Sequence, residues 1–160
     1  MKVKHTLGRI CLWLITGGLM ISCDQARLVE EYQSFEELSW PAEDTLSFMV
    51  PAIPNEGALA TLRVKYNEEY DYHNLYLRYI LRDSTGSIQT NKLIYLKLFD
   101  PKSGKPLGSG YGNSFTVVDT LPSLKATALQ NSKMQFIQYM RSNALDGIES
   151  LGIKIEKGMN

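Results

Sequence analysis

Few side chains in this 160-residue sequence are able to do chemistry. It has two cysteines and two histidines, and Cys11 and His5 fall in an apolar N-terminal segment. That leaves Cys23 and His73. Nucleophilic catalysis needs a base held beside a Ser, Thr or Cys, and a single histidine without a nucleophile-elbow motif does not supply that pair. A metal site needs three or four converging ligands, and His73 beside Asp71 offers two. Asn67, Glu69 and Asp71 put oxygens at alternate positions as a calcium loop does, but the glycine turn and closing glutamate of an EF-hand are missing. Paired carboxylates of the glycosidase kind leave no mark here beyond the bare presence of acids. Gly108, Gly110 and Gly112 alternate like a phosphate-cradling loop, yet no helix follows to lend its N–H groups. Gly104-Lys105 is followed by Pro106 where a phosphate loop needs Ser or Thr. The glycines are expected to allow left-handed backbone in a wide turn. No catalytic residue, metal or cofactor is expected.

Cys23 is the exception, because of what precedes it. Lys2, Lys4 and Arg9 lead into an apolar run from Ile10 that closes on Met20-Ile21-Ser22-Cys23. A core of about a dozen apolar residues has the length of a signal-peptide core and is too short to span a bilayer. Cleavage after Ser22 would make Cys23 the new N-terminus, the layout of a bacterial lipoprotein signal. Its thiol would then carry diacylglycerol, with palmitate-type chains stabilising the anchor by about 0.8 kcal/mol per buried methylene. With Cys11 inside the signal, no intramolecular disulfide is available. The expected division is 1–22 signal peptide, 23–44 lipidated tether, in which Asp24 to Tyr32 reads as a short strand or an extended arm, and 45–157 folded domain.

Composition agrees with one modest domain. About 138 residues follow the signal, enough for a single core. They hold 14 basic and 17 acidic residues, a net charge of −3. No basic face of the kind nucleic acid requires is present.

The elements that must carry these loops read as strands. Thr45 to Val50 alternates apolar and polar, as do Ala60 to Tyr66 and Leu75 to Arg82. Asp83 to Ser87 is a turn by composition, and Gln89 to Phe99 returns from it. Phe115 to Leu121 and Ala126 to Leu129 read as edge strands or irregular chain. Lys133 to Arg141 and Leu151 to Ile155 are further strand candidates. Trp40, ahead of Pro41, is expected to dock the tether onto the body. With no amphipathic helix of any length, the pattern predicts an all-β antiparallel β-sandwich, jelly-roll-like.

The ordered series of short motifs resembles the GldH gliding-motility lipoproteins. After the cysteine come Val29-Glu30-Glu31-Tyr32, Trp40 and Asp44-Thr45-Leu46-Ser47-Phe48. Arg63, Tyr66-Asn67 and Tyr70-Asp71-Tyr72-His73-Asn74-Leu75-Tyr76-Leu77 follow, then Asp100, Gly104 and Leu107-Gly108-Ser109-Gly110-Tyr111-Gly112. Gln138-Tyr139-Met140-Arg141, Leu145-Asp146-Gly147-Ile148 and Leu151-Gly152-Ile153-Lys154-Ile155 close it. Residues 114–132 match least, and Pro106 stands where members often have a large aromatic. The resemblance implies a periplasm-facing, lipid-anchored cell-envelope protein of gliding and its associated protein secretion or envelope assembly. It implies partners among other envelope, gliding or secretion lipoproteins, and no enzymatic activity. Only Cys23 transfers as a site, the acylated residue.

Loops on a rigid scaffold tend to carry recognition. Tyr70, Tyr72, Tyr76 and Tyr111 are therefore the expected partner-facing residues. The competing reading is a lipid-anchored carbohydrate-binding module, for which Tyr76 beside Arg78 on the wet face of one strand is the only hint.

Overall fold

The computed structural model describes residues 27–50, 52, 57–122 and 131–157. The expected signal peptide, Cys23 and the segment Ala126–Leu129 lie outside these residues. Eleven strands follow in order, with no α-helix among the described residues. They are β1 (Arg27–Ser34), β2 (Ser39–Pro41), β3 (Thr45–Val50), β4 (Ala58–Asn67), β5 (Asn74–Arg82) and β6 (Ile88–Lys97). β7 (Ser109–Tyr111), β8 (Ser114–Thr120), β9 (Ser132–Gln138), β10 (Ala144–Asp146) and β11 (Ile148–Lys157) complete the series.

One sheet runs β1-β11-β4-β8-β7 and the other β3-β9-β5-β6, with β2 and β10 forming a small pair beside them. Leaving out the three-residue strands β2, β7 and β10, the chain folds back on itself as nested antiparallel pairs. The first long strand pairs with the last (β1·β11), the second with the seventh (β3·β9), the third with the sixth (β4·β8) and the fourth with the fifth (β5·β6). That nesting is the jelly-roll order.

Strict alternation selects the inner faces. Leu62, Val64 and Tyr66 of β4 lie opposite Ile153, Leu151 and Ile148 of β11. Within the second sheet, Phe48 of β3, Phe136 of β9 and Tyr79 of β5 pack ring on ring, Phe48 edge-on to Phe136 at 6.0 Å and Tyr79 stacked on it at 5.4 Å. All are buried with Leu75, Leu77 and Met134 in one core.

The N-terminal boundary differs from the sequence reading. Arg27 to Ser34 is hydrogen-bonded along β11, from Arg27 opposite Glu156 to Ser34 opposite Ser150. Residues 27–34 of the segment expected as tether are thus a strand of the first sheet, which reaches well ahead of residue 45. The weak periodicity of 27–34 follows from its place at a sheet edge, where Glu31 points to the inner side yet remains in solvent. Trp40 is fully buried, stacks on Phe35 at 4.9 Å and donates its indole N–H to the Asp44 carbonyl at 3.1 Å. β7 pairs with β8 only from Ser114 to Thr116, so beyond Thr116 β8 has no partner on its outer side among the described residues.

Candidate functional site

The strand directions sort the loops into two ends. Arg27, Lys157, the β5–β6 turn and the Thr120 end of β8 lie at one. The β4–β5 loop, the long β6–β7 connection, the β7–β8 turn and the β9–β10 segment lie at the other. The aromatic-bearing loops therefore meet on one rim.

Asn67 builds the first loop. Its backbone N–H donates to the Gly147 carbonyl at 2.8 Å, and its side-chain oxygen accepts the Glu69 N–H at 2.9 Å. This corrects the calcium geometry, because the Asn67 oxygen caps the turn instead of converging with Asp71. Tyr70 is only 4% exposed and donates its hydroxyl to the Asn74 carbonyl at 2.9 Å. Burial raises its pKa further above the ordinary tyrosine value. Tyr70 is a closing core residue, which removes it from the partner-facing set. Tyr72 packs edge-on against it at 5.6 Å and is 40% exposed.

The second loop is tied to the core by Tyr66. Its hydroxyl donates to the Leu98 carbonyl at 2.6 Å and accepts the Gly108 N–H at 3.0 Å. Desolvation raises its pKa above the usual value. Asp100 nucleates the turn at the loop's centre, accepting the N–H groups of Lys102 and Ser103 at 3.1 and 2.8 Å and the Ser103 hydroxyl at 2.8 Å. Those bonds, led by the Ser103 N–H, lower its pKa. Between the two loops opens a shallow cleft of about 400 Å³, lined by Glu68, Asp71, Tyr72, His73, Phe99 and Asp100 among others. Among the described residues no group of three or more His, Cys, Asp or Glu side chains is placed to hold a metal ion.

The glycine-dense segment is a β-hairpin rather than the wide left-handed turn expected of it. Only Gly112 has positive φ there, at 67°, and it turns β7 into β8. At Gly110 a side chain would meet the Ser114 and Phe115 backbone, so the glycine lets β7 lie close on β8. The hairpin carries Tyr111 at its tip, 97% exposed. Tyr76 is placed differently. It sits on β5, on the outer face of the second sheet, against Tyr95 at 5.1 Å. The rim thus gathers Tyr72 and Tyr111, while Tyr76 belongs to a sheet face shared with Tyr95 and Tyr139. The alternation in β5 and β6 marks Tyr76 and Tyr95 as outward, but the register that aligns them is not visible in one strand alone.

A protein family described as GldH lipoprotein matches residues 27–155. A protein of Christiangramia forsetii named gliding motility lipoprotein GldH homolog is 26% identical, over 94% of this chain and 96% of its own length. Gliding motility lipoprotein GldH of Flavobacterium johnsoniae is 23% identical, over 98% of this chain and 99% of its own. Among solved structures, the Eiger TNF of S. frugiperda aligns at a TM-score of 0.35 and 8% identity, covering 85% of this chain and 95% of that one. Dimeric latent PorU of Porphyromonas gingivalis aligns at 0.34 and 11% identity, covering 85% of this chain and 14% of that one. Neither structural likeness bears on function.

Proposed function

The chain belongs to the GldH lipoprotein family, and we propose from that premise a lipid-anchored, non-catalytic docking module acylated at Cys23. It is a gliding-associated lipoprotein of the cell envelope, in a family of motility lipoproteins rather than of known enzymes. We extend the reading to the protein secretion or envelope assembly that accompanies gliding, with the sandwich facing the periplasm and its partners among neighbouring envelope lipoproteins.

One observation carries this reading: β1 begins at Arg27, four residues after Cys23. Four residues reach at most about 14 Å when extended. With Cys23 acylated, the Arg27 end of the sandwich stands directly against the bilayer, without a long leash. The strands then run away from the membrane, about 26 Å over the eight residues of β1. Tyr72 and Tyr111 come to face the envelope space at the far end. Confinement to a surface raises effective concentration, so weak contacts at this rim suffice for partner capture.

The test is Tyr72→Ala combined with Tyr111→Ala in the full chain, expressed in its own cell and cross-linked in the membrane fraction. Both side chains are surface groups, so membrane retention and the thermal melt should be unchanged. Recovery of cross-linked envelope lipoproteins should fall several-fold. Unchanged recovery would rule out the rim as the docking surface.

A further inference from the structure

The outer face of the second sheet is unlike the rest of the surface in charge. In the mature chain as a whole acids outnumber bases, and three cations of the first sheet are paired with carboxylates. Arg27 bonds Glu30 at 2.6 Å, Lys65 bonds Glu149 at 2.7 Å and Lys154 bonds Glu156 at 2.7 Å. The outward positions of the second sheet are Thr45, Ser47 and Met49 on β3, then Lys133, Gln135 and Ile137 on β9. β5 contributes Asn74, Tyr76, Arg78, Ile80 and Arg82, and β6 contributes Asn91, Leu93, Tyr95 and Lys97. None of these is acidic. Carboxylates stand at its borders, Asp100 near Lys97 at one corner and Asp83 directly after Arg82 at the β5–β6 turn.

The guanidiniums are held in place. Arg78 donates its Nε to the Asn91 side-chain oxygen at 3.0 Å, leaving both terminal nitrogens toward solvent. Arg82 donates its Nε to the Gln135 side-chain oxygen at 3.0 Å and one terminal nitrogen to the Gly86 carbonyl at 3.1 Å, which leaves its other terminal nitrogen for a ligand. A positioned guanidinium with free terminal N–H groups matches a carboxylate in shape and charge.

Beside this pair runs a row of rings. Tyr139 continues β9 with its backbone N–H bonded to the Tyr76 carbonyl at 2.8 Å, and Tyr95 is Tyr76's partner on the other side. The row Tyr139-Tyr76-Tyr95 crosses three strands, about 10 Å at the usual strand spacing. Tyr139 is 58% and Tyr95 45% exposed. Aromatic faces at intervals along a flat, rigid sheet suit the C–H faces of successive sugar rings. Asn91, Gln135, Ser47 and Thr45 add groups able to bond hydroxyls.

From this juxtaposition we propose that the outer face of β3-β9-β5-β6 binds an anionic polysaccharide. Uronic-type carboxylates pair with Arg78 and Arg82 while adjacent sugar rings lie on Tyr139, Tyr76 and Tyr95. This goes beyond the docking role of the rim, and it does not depend on acylation of Cys23.

The experiment titrates the full-length chain in detergent with polygalacturonate oligomers, with neutral dextran, poly-glutamate and phosphatidylglycerol vesicles as the other arms. Polygalacturonate should bind more tightly than the other three. Binding should weaken at least tenfold in Arg78→Gln/Arg82→Gln and at least tenfold in Tyr95→Ala/Tyr139→Ala. Absence of polygalacturonate binding overturns the proposal. So does poly-glutamate binding as tightly with no loss in the tyrosine variant, which marks an acidic-protein surface, or binding to vesicles alone. Should a variant fail to fold, nitration of the unmodified chain decides. Polygalacturonate should protect Tyr95 and Tyr139 while leaving Tyr111 reactive, and equal nitration of all three with and without it overturns the assignment.

Discussion

The ring of Tyr32 on β1 lies directly over Gly152 on β11, so closely that a side chain at Gly152 would overlap the ring. The missing Cβ is what lets the first strand seat its aromatic on the sheet. Strand and sheet are joined by this contact as well as by their hydrogen bonds. Because β1 is the element next to Cys23, its attachment transmits any membrane anchor to the body.

Gly152→Ala should therefore destabilise the protein by about 1–3 kcal/mol, the cost of forcing an extra carbon into a filled site. In a Tyr32→Ala background the same substitution should cost clearly less, since the two positions are coupled through one contact. Urea unfolding of the four chains of this cycle measures it. Equal costs in both backgrounds would show that the ring is not the obstacle.

Tyr66 and Tyr79 are both buried, and one substitution should move them in opposite directions. The Tyr66 hydroxyl both donates and accepts, while the Tyr79 hydroxyl has no hydrogen-bond partner among the described residues. Tyr66→Phe strands the Leu98 carbonyl and the Gly108 N–H and should cost about 1–3 kcal/mol. Tyr79→Phe removes an unpaired buried hydroxyl and should raise stability by about 1 kcal/mol. Denaturant midpoints at neutral pH give both signs.

Alkali should expose the same difference. Burial raises the Tyr79 pKa from 10.0 to about 12. A folded-state value above the unfolded one means that the unfolded chain gives up its proton first. The contribution of Tyr79 is therefore complete below pH 10 and is lost as pH rises toward 12. Tyr32, Tyr66 and Tyr70 are shifted the same way and steepen the decline. Stability of the native chain should fall through this window, and Tyr79→Phe should fall less steeply. Parallel curves would contradict the burial of this hydroxyl.

The sandwich was legible wherever a strand has one dry and one wet face. Leu46, Phe48 and Val50, or Leu62, Val64 and Tyr66, alternate because the core takes every second side chain. Trp40 was legible as a buried plug from its size and the proline after it. β1 was legible only as either a short strand or an extended arm, because an edge strand with Glu31 on its inner side satisfies no simple alternation. The strands β2, β7 and β10 are three residues each, too short to show any period. Tyr70 looked like its neighbour Tyr72, and only the fold of the Asn67 turn separates the buried ring from the exposed one. The row Tyr139-Tyr76-Tyr95 depends on register between three strands distant in sequence, which local pattern does not encode.

Metabolic labelling with a fatty acid shows whether an acyl group on Cys23 holds the sandwich against a membrane. The native full-length chain and Cys23→Ala are expressed in the source cell, labelled and fractionated. Labelled native protein should appear in the membrane fraction, and the variant should be unlabelled and no longer retained there. Label or membrane retention that survives Cys23→Ala, or a native chain that takes up no label, would contradict it.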